Sequence, residues 1–321
     1  MSATTLASPT NMTASKLEIL TDQPIATWFN LGGKAARMAK PRNADELRGC
    51  LELDPTLRIL GDGANLLIAD EGVKELVVSL SEGDFGTFTI GAIDARGYAN
   101  VRAGAGVHLF KLINATVEAG LTGLENLAGI PACVGGAVVM NAGGKFGSTS
   151  DYIASVEVMD RQGQAHTLKR AQIEFTYRHS SLTRAGHIVT AAEFRLRRAE
   201  GGPAGVKAKL KEVTEFKKST QPMNANSAGC CFKNPTLSDH VREIGTSGTR
   251  VSAGMLIDKA GCKGLRSGGA AVSDQHANFI VAEKGCTAGD VITLMRLVRE
   301  KVQAAFKVTL EPEVVVWGAS V

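Results

Sequence analysis

Gly129-Ile130-Pro131-Ala132-Cys133-Val134-Gly135-Gly136-Ala137, continued after three apolar residues by Asn141-Ala142-Gly143-Gly144, is the most informative segment of the chain. It has no helical or strand period, and glycine recurs wherever a Cβ would keep a ligand from the backbone. A segment this long without a period reads as either a functional loop or a mobile one. Working back along the chain, a second glycine-bearing turn, Gly61-Asp62-Gly63-Ala64-Asn65, follows directly on the strand pattern Leu57–Leu60. Gly61 and Gly63 there let backbone N–H groups point at an anion, and Asn65 adds a side-chain donor. Alone, that turn is equally a plain tight turn, and it lacks the third glycine and the later acid of the dinucleotide fingerprint. Two such loops in one domain point to an elongated ligand with a pyrophosphate, such as FAD or a nucleotide sugar.

Around these loops the periodicities place helices and strands. Asn43 and Glu46 have capping-box spacing and open a helix with Leu47 and Leu51 inward. Strand patterns follow at 75–80 and 98–103, then a helix carrying Leu109, Leu112, Ile113 and Val117 that stops at Gly120. A hairpin is expected from 153–159 and 165–168, with a further strand at 187–196. Residues 199–205, AEGGPAG, read as a linker, and a helix with Val206, Leu210 and Val213 inward follows. Thr287 and Asp290 stand at cap spacing before an amphipathic helix reaching Phe306, with Val291, Met295, Val298 and Val302 buried; a strand over 308–317 closes the chain. No internal repeat is present. Helices and strands mix without strict alternation, which argues for an α+β fold rather than a doubly wound sheet. Residues 1–20 read as a flexible leader.

Composition narrows the function classes. The 321 residues suffice for two or three packed units, and the net charge of +4 suits small anions but is too diffuse for a nucleic-acid surface. No run approaches the roughly 18 apolar residues of a membrane span, and the N-terminus lacks a secretory pattern. The six cysteines show no metal-ligand spacing and no disulfide framework, so reduced thiols in a cytoplasm are expected, with no metal centre. No HExxH, CxxC or Ser/His/Asp arrangement appears.

Several side chains can carry chemistry. Arg178, after Tyr177, can grip a carboxylate with two parallel hydrogen bonds, or be an ordinary surface arginine. Residues 227–235, SAGCCFKNP, combine a thiol, a cation and an amide in one loop, although adjacent cysteines also serve as small core residues. Glu313 stands in an otherwise apolar strand, or simply on its exposed edge. His276 by itself reads as a loop histidine.

In order from Thr27 to Gly318, the segments TWFNLGG (27–33), GDGANLLIAD (61–70), GIPACVGGAVVMNAGG (129–144), FTYRHSSL (175–182), SAGCCFKNP (227–235), AGMLIDKAGCKGLRSGGAAVSDQHANFIV (253–281) and LEPEVVVWG (310–318) resemble the UDP-N-acetylenolpyruvoylglucosamine reductase family, in its shorter subtype without a Tyr-bearing insertion. The resemblance implies a two-lobed FAD-binding domain of the vanillyl-alcohol-oxidase type over residues 21–200, with lobes of about 21–80 and 81–200. A smaller α+β substrate-binding domain would span 206–321. It implies non-covalent FAD held by Gly61, Gly63, Ala64, Asn65, Gly129, Val134, Gly135, Gly136, Asn141, Ala142 and Gly143. NADPH would reduce the flavin, which would pass hydride to the vinyl carbon of an enolpyruvyl nucleotide sugar. Arg178 and Glu313 would stabilise the enolate-like charge and Cys230 would supply the proton. Tyr177, Lys218, Asn234 and His276 fall where the family contacts its substrate. Cys133 occupies a slot where the family usually has Thr, and Cys230 one where it usually has Ser. A thiol whose ordinary pKa is near 8.5 is a stronger acid than an alcohol, so the donor role survives the exchange. Another flavin oxidoreductase of the same fold and a non-catalytic scaffold are the competing readings. Oligomeric state is open.

Overall fold

The computed structural model describes residues 17–319. Most of the expected leader therefore lies outside the described residues. Its last two positions do not belong to a leader: Ile19 and Leu20 begin the strand Ile19–Pro24, which pairs antiparallel with Lys34–Ala39. Two parallel neighbours, Val73–Ser79 and Arg58–Leu60, complete a four-stranded sheet. The helix Ala44–Leu53 buries Leu47, Cys50 and Leu51, and the Asn43 side chain accepts from the Glu46 N–H as expected. The reciprocal half of the box differs, because the Glu46 carboxylate accepts from the Arg42 N–H instead.

The second lobe is built on an antiparallel sheet. Its order runs Ala165–Lys169, Ile153–Met159, Ile188–Arg198, Tyr98–Gly104, Phe88–Ile90, with Leu121–Thr122 also on the long strand. The helix Leu109–Glu118 lays Leu109, Leu112, Ile113 and Val117 into a core shared with Val156 and Phe194. The aperiodic stretch 128–147 is not all loop: it contains the short helix Val134–Val139 and the two-residue pairing of Gly143–Gly144 with Gly147–Ser148. The expected linker is likewise shorter than read, since Gly202–Thr220 is already helix, with Pro203 in its first turn where a missing N–H costs nothing.

The last third carries its own core, in which Phe232, Leu256, Leu294 and Val298 are buried around a three-stranded sheet. Phe29 and Leu67 of the first lobe are buried in that same core. The expected closing strand over 308–317 shrinks to Val315–Trp317, which pairs in parallel with Leu66–Ile68. Pro312 lacks an N–H and cannot sustain a ladder, so Pro312 and its neighbours Glu311 and Glu313 meet 231–233 only in an isolated bridge.

The helix Ala288–Phe306 has the full Thr287/Asp290 capping box. Across the interface, Asp70 adds a second cap, its carboxylate accepting from the Ala288 N–H at 2.9 Å and the Gly289 N–H at 3.1 Å. These are first-turn donors with no partner inside their helix, at its positive end. Asp70→Ala should therefore destabilise the fold by about 1 kcal/mol, with Asp70→Asn recovering roughly half. Urea unfolding midpoints check this; equal midpoints for Ala and parent would show that the contact does not hold the two parts together.

Candidate functional site

A cleft of about 970 Å³ runs between the units. Gly61, Gly63, Ala64 and Asn65 of the first lobe line it, as do Gly129, Gly135, Gly136, Ala142 and Gly143 of the second. Such a volume lies at the upper end for small-molecule sites and suits an elongated ligand. The glycines fit a dinucleotide in two ways. A Cβ at Gly61 or Gly136 would meet nothing within 4 Å, so it would stand in the open cleft where phosphates need to reach the backbone. Gly63 is required by the turn itself, with φ +66° and the Ala26 carbonyl 2.2 Å from where its Cβ would be.

Arg178, Cys230 and Glu313 also line this cleft, from three distant parts of the chain. Arg178 lies at the turn between the paired strands Phe175–Thr176 and His179–Ser180, in a left-handed conformation (φ +56°) that few non-glycine residues adopt. Its guanidinium donates to Glu313 Oε1 at 2.5 Å and to the Gly143 carbonyl at 2.9 Å, contacts that hold the strained turn in place. Residues 230–233 are clamped from both sides. Cys231 N–H donates to the Asn278 carbonyl at 2.8 Å, Phe232 N–H to Asn278 Oδ1 at 3.0 Å, and Glu313 N–H to the Cys231 carbonyl at 2.8 Å. Cys230 and Glu313 are thus held on one frame. Asn278, itself buried, is a positioning residue with no sequence signal beyond its place in a chain bend.

Burial dominates the electrostatics. It raises the Glu313 carboxyl above its ordinary value, opposed by the Arg178 charge. It pushes the Cys230 thiol up to about 12, helped by the Glu313 charge and opposed by Arg178. The unperturbed value expected from sequence is therefore corrected, and the thiol is fully protonated at neutral pH. Cys231 is a core residue of the last third, as its neighbour's alternation requires.

Other expected site residues take supporting or neighbouring positions. Val134 lines no part of the cleft; it is a core residue whose N–H donates to the Val107 carbonyl. Asn141 is buried, donating to the Thr176 carbonyl at 3.0 Å and accepting from Ser150 N–H at 3.1 Å; it steadies the turn that carries Arg178. Asn65 reaches the cleft but spends its amide on the Glu313 carbonyl at 3.0 Å. Tyr177, Asn234 and His276 are not among the residues lining the cleft. The Tyr177 ring lies under the Arg178 and Arg250 guanidinium groups, Asn234 Oδ1 accepts from Ala253 N–H, and His276 packs edge-on against Phe279. Lys218 is exposed and does not line the cleft either. Its neighbour Lys217 lines the cleft, its stem against Gly129, with its pKa lowered to about 8 by burial and by the Arg178 charge. Helical spacing shows why: Val206, Val213 and Lys217 share one face, a signal present in the sequence.

Residues 221–317 match the family described as UDP-N-acetylenolpyruvoylglucosamine reductase, C-terminal domain, and residues 35–169 match the FAD binding domain family. The chain is 40% identical over 312 residues to the UDP-N-acetylenolpyruvoylglucosamine reductase of Moorella thermoacetica, covering 95% of each. It is 36% identical to that of a Bradyrhizobium species, covering 94% of this chain and 93% of the relative. The crystal structure of the Thermus caldophilus reductase superposes with a TM-score of 0.75 at 38% identity, covering 94% of this chain and 99% of the other. With both the cofactor lobes and the C-terminal third matched in one chain, this protein belongs to the UDP-N-acetylenolpyruvoylglucosamine reductase family.

Proposed function

We propose that Arg178, Cys230 and Glu313 carry out the family's reaction here, the NADPH-dependent, FAD-mediated reduction of UDP-N-acetyl-3-O-(1-carboxyvinyl)-glucosamine to UDP-N-acetylmuramate for peptidoglycan synthesis. The observation that supports this best is the convergence of a guanidinium, a carboxylate and a protonated thiol on one cleft with two glycine loops. Gly61, Gly63, Gly129 and Gly136 of those loops would hold FAD non-covalently, and the bound flavin would supply the hydride chemistry between NADPH and the vinyl carbon. Arg178 offers its charge to the substrate carboxylate, onto which negative charge spreads as hydride arrives. Glu313 keeps that guanidinium oriented. Cys230 holds a proton on Sγ, ready for the adjacent carbon. Lys217 places a second cation near Arg178 for the nucleotide's phosphates, beside Lys218, for which the family resemblance implied a substrate contact.

The division into a cofactor domain over 21–200 and a substrate domain over 206–321 is supported by the core of the last third, whose buried residues, Phe29 and Leu67 apart, all follow residue 227. A cytoplasmic setting is supported by six free cysteines and by the absence of any helix, among the described residues, long and apolar enough to cross a membrane.

Replacing Arg178 or Glu313 with Ala should leave flavin reduction by NADPH nearly intact and slow reoxidation by substrate roughly a hundredfold or more, the usual cost of one preorganised charge contact. Stopped-flow measurement of the two half-reactions decides; equal damage to both would make these residues supports of the fold or cofactor. Cys230→Ala should abolish the protonation step and Cys230→Ser should retain substantial turnover, whereas Cys231→Ala should cost stability rather than rate. Because the Cys230 thiol ionises only near pH 12, iodoacetamide should inactivate the enzyme very slowly at pH 7, with no break in its rate near pH 8.5. Rapid inactivation at neutral pH would mean a thiolate and exclude Cys230 as the acid. For Lys217, UDP affinity measured by calorimetry should fall as pH rises through about 8, where the ammonium is lost, and Lys217→Met should be weak and flat across that range.

A further inference from the structure

A second cluster of reactive side chains lies in the wall of the cleft, apart from Arg178, Cys230 and Glu313. Asp62, His108 and Cys133 come from three segments, and their ligand atoms lie within 4.8 Å of one another. Among the described residues this is the single group of three or more His, Cys, Asp or Glu side chains so arranged. The backbone prepares it. His108 and Cys133 face each other in an isolated antiparallel bridge, flanked by Leu109 N–H to the Ala132 carbonyl at 2.8 Å and Val134 N–H to the Val107 carbonyl at 2.9 Å. That is the non-hydrogen-bonded kind of pair, in which opposed side chains stand closest. Asp62 Oδ1 lies 3.2 Å from His108 Nδ1, while Oδ2 accepts from Trp28 Nε1 at 3.1 Å. Trp28 thus orients the carboxylate from behind, as an outer partner orients a metal ligand, and leaves Oδ1 turned toward the imidazole and thiol.

We propose that Asp62, His108 and Cys133 form a binding site for a divalent ion of the zinc class. One imidazole nitrogen, one thiolate and one carboxylate oxygen make a zinc ligand set, with the fourth tetrahedral position open to the cleft and its water. Bonds of about 2.0–2.3 Å set ligand–ligand edges of roughly 3.5 Å, so closure on the ion takes about an ångström of movement by one side chain. The Cys133 proton leaves to solvent as the Zn–S bond forms. Two unit negative charges then balance the ion. Asp62 sits inside a loop built for phosphates, where an uncompensated carboxylate repels the ligand; the ion removes that charge and staples the loop of residues 61–65 to that of 129–136. The inference does not rest on the reaction assigned above.

The test uses the purified full-length protein with its flavin bound. Equilibrium dialysis against micromolar Zn²⁺ should leave one ion per chain in the parent and in Cys230→Ser. His108→Ala and Cys133→Ser should each hold close to none, with circular dichroism unchanged to show that they are folded. Co²⁺ in place of Zn²⁺ should give a near-ultraviolet sulfur-to-metal band in the difference spectrum, lost in Cys133→Ser. The proposal is overturned if the parent takes up no Zn²⁺, if His108→Ala and Cys133→Ser still bind one equivalent, or if Cys230→Ser alone abolishes binding.

Discussion

The parallel pairing of Val315–Trp317 with Leu66–Ile68 is the constraint on which the site depends. It joins the end of the chain to the strand that leaves the first glycine loop, so Glu313 reaches the cleft only because the last residues return there. Asn65 reinforces the return, accepting from Val315 N–H and donating to the Glu313 carbonyl. Closing so long a loop has an entropic cost that grows only slowly with its length. The apolar contacts around Trp317, Ile68 and Val77, buried together, are of the kind that offset it.

That return explains the electrostatics of the cleft. Glu313 is carried into a poorly solvated place where its carboxyl resists ionisation, and Arg178 is held beside it by a strained turn. A buried pair of this kind adds little net stability, because desolvation of both groups opposes their attraction. Its value is positional. With Lys217 nearby, two cations stand against one carboxylate, an imbalance suited to an anionic substrate. Cys230 shares the burial and is kept neutral by it, the state a proton donor needs.

Some features were legible because they are local. The cap at Asn43, the Thr287/Asp290 box and the stripe Leu109, Leu112, Ile113, Val117 are set by neighbours within a turn or two of helix, and all three fold as read. The family motifs were legible for a related reason, since each is a short stretch whose backbone must take one conformation. One strand was not: Lys34–Ala39, paired on both sides within its sheet, shows no clean alternation, although its parallel neighbour Val73–Ser79 was expected from its apolar run.

The α+β class, the helices with their caps and the two glycine loops could be read from the chain alone, because propensity and periodicity are properties of short segments; the groups proposed to react came from the resemblance of its motifs to the family. Which groups meet was settled by the tertiary fold. It put Lys217 rather than Lys218 at the cleft, packed Val134 and Asn141 into supporting contacts, set Tyr177 against Arg178 with Asn234 and His276 off the cleft lining, and raised the Cys230 thiol far above its free value. Burial and long-range hydrogen bonds are set by residues tens to hundreds of positions away, so no local window of the chain contains them.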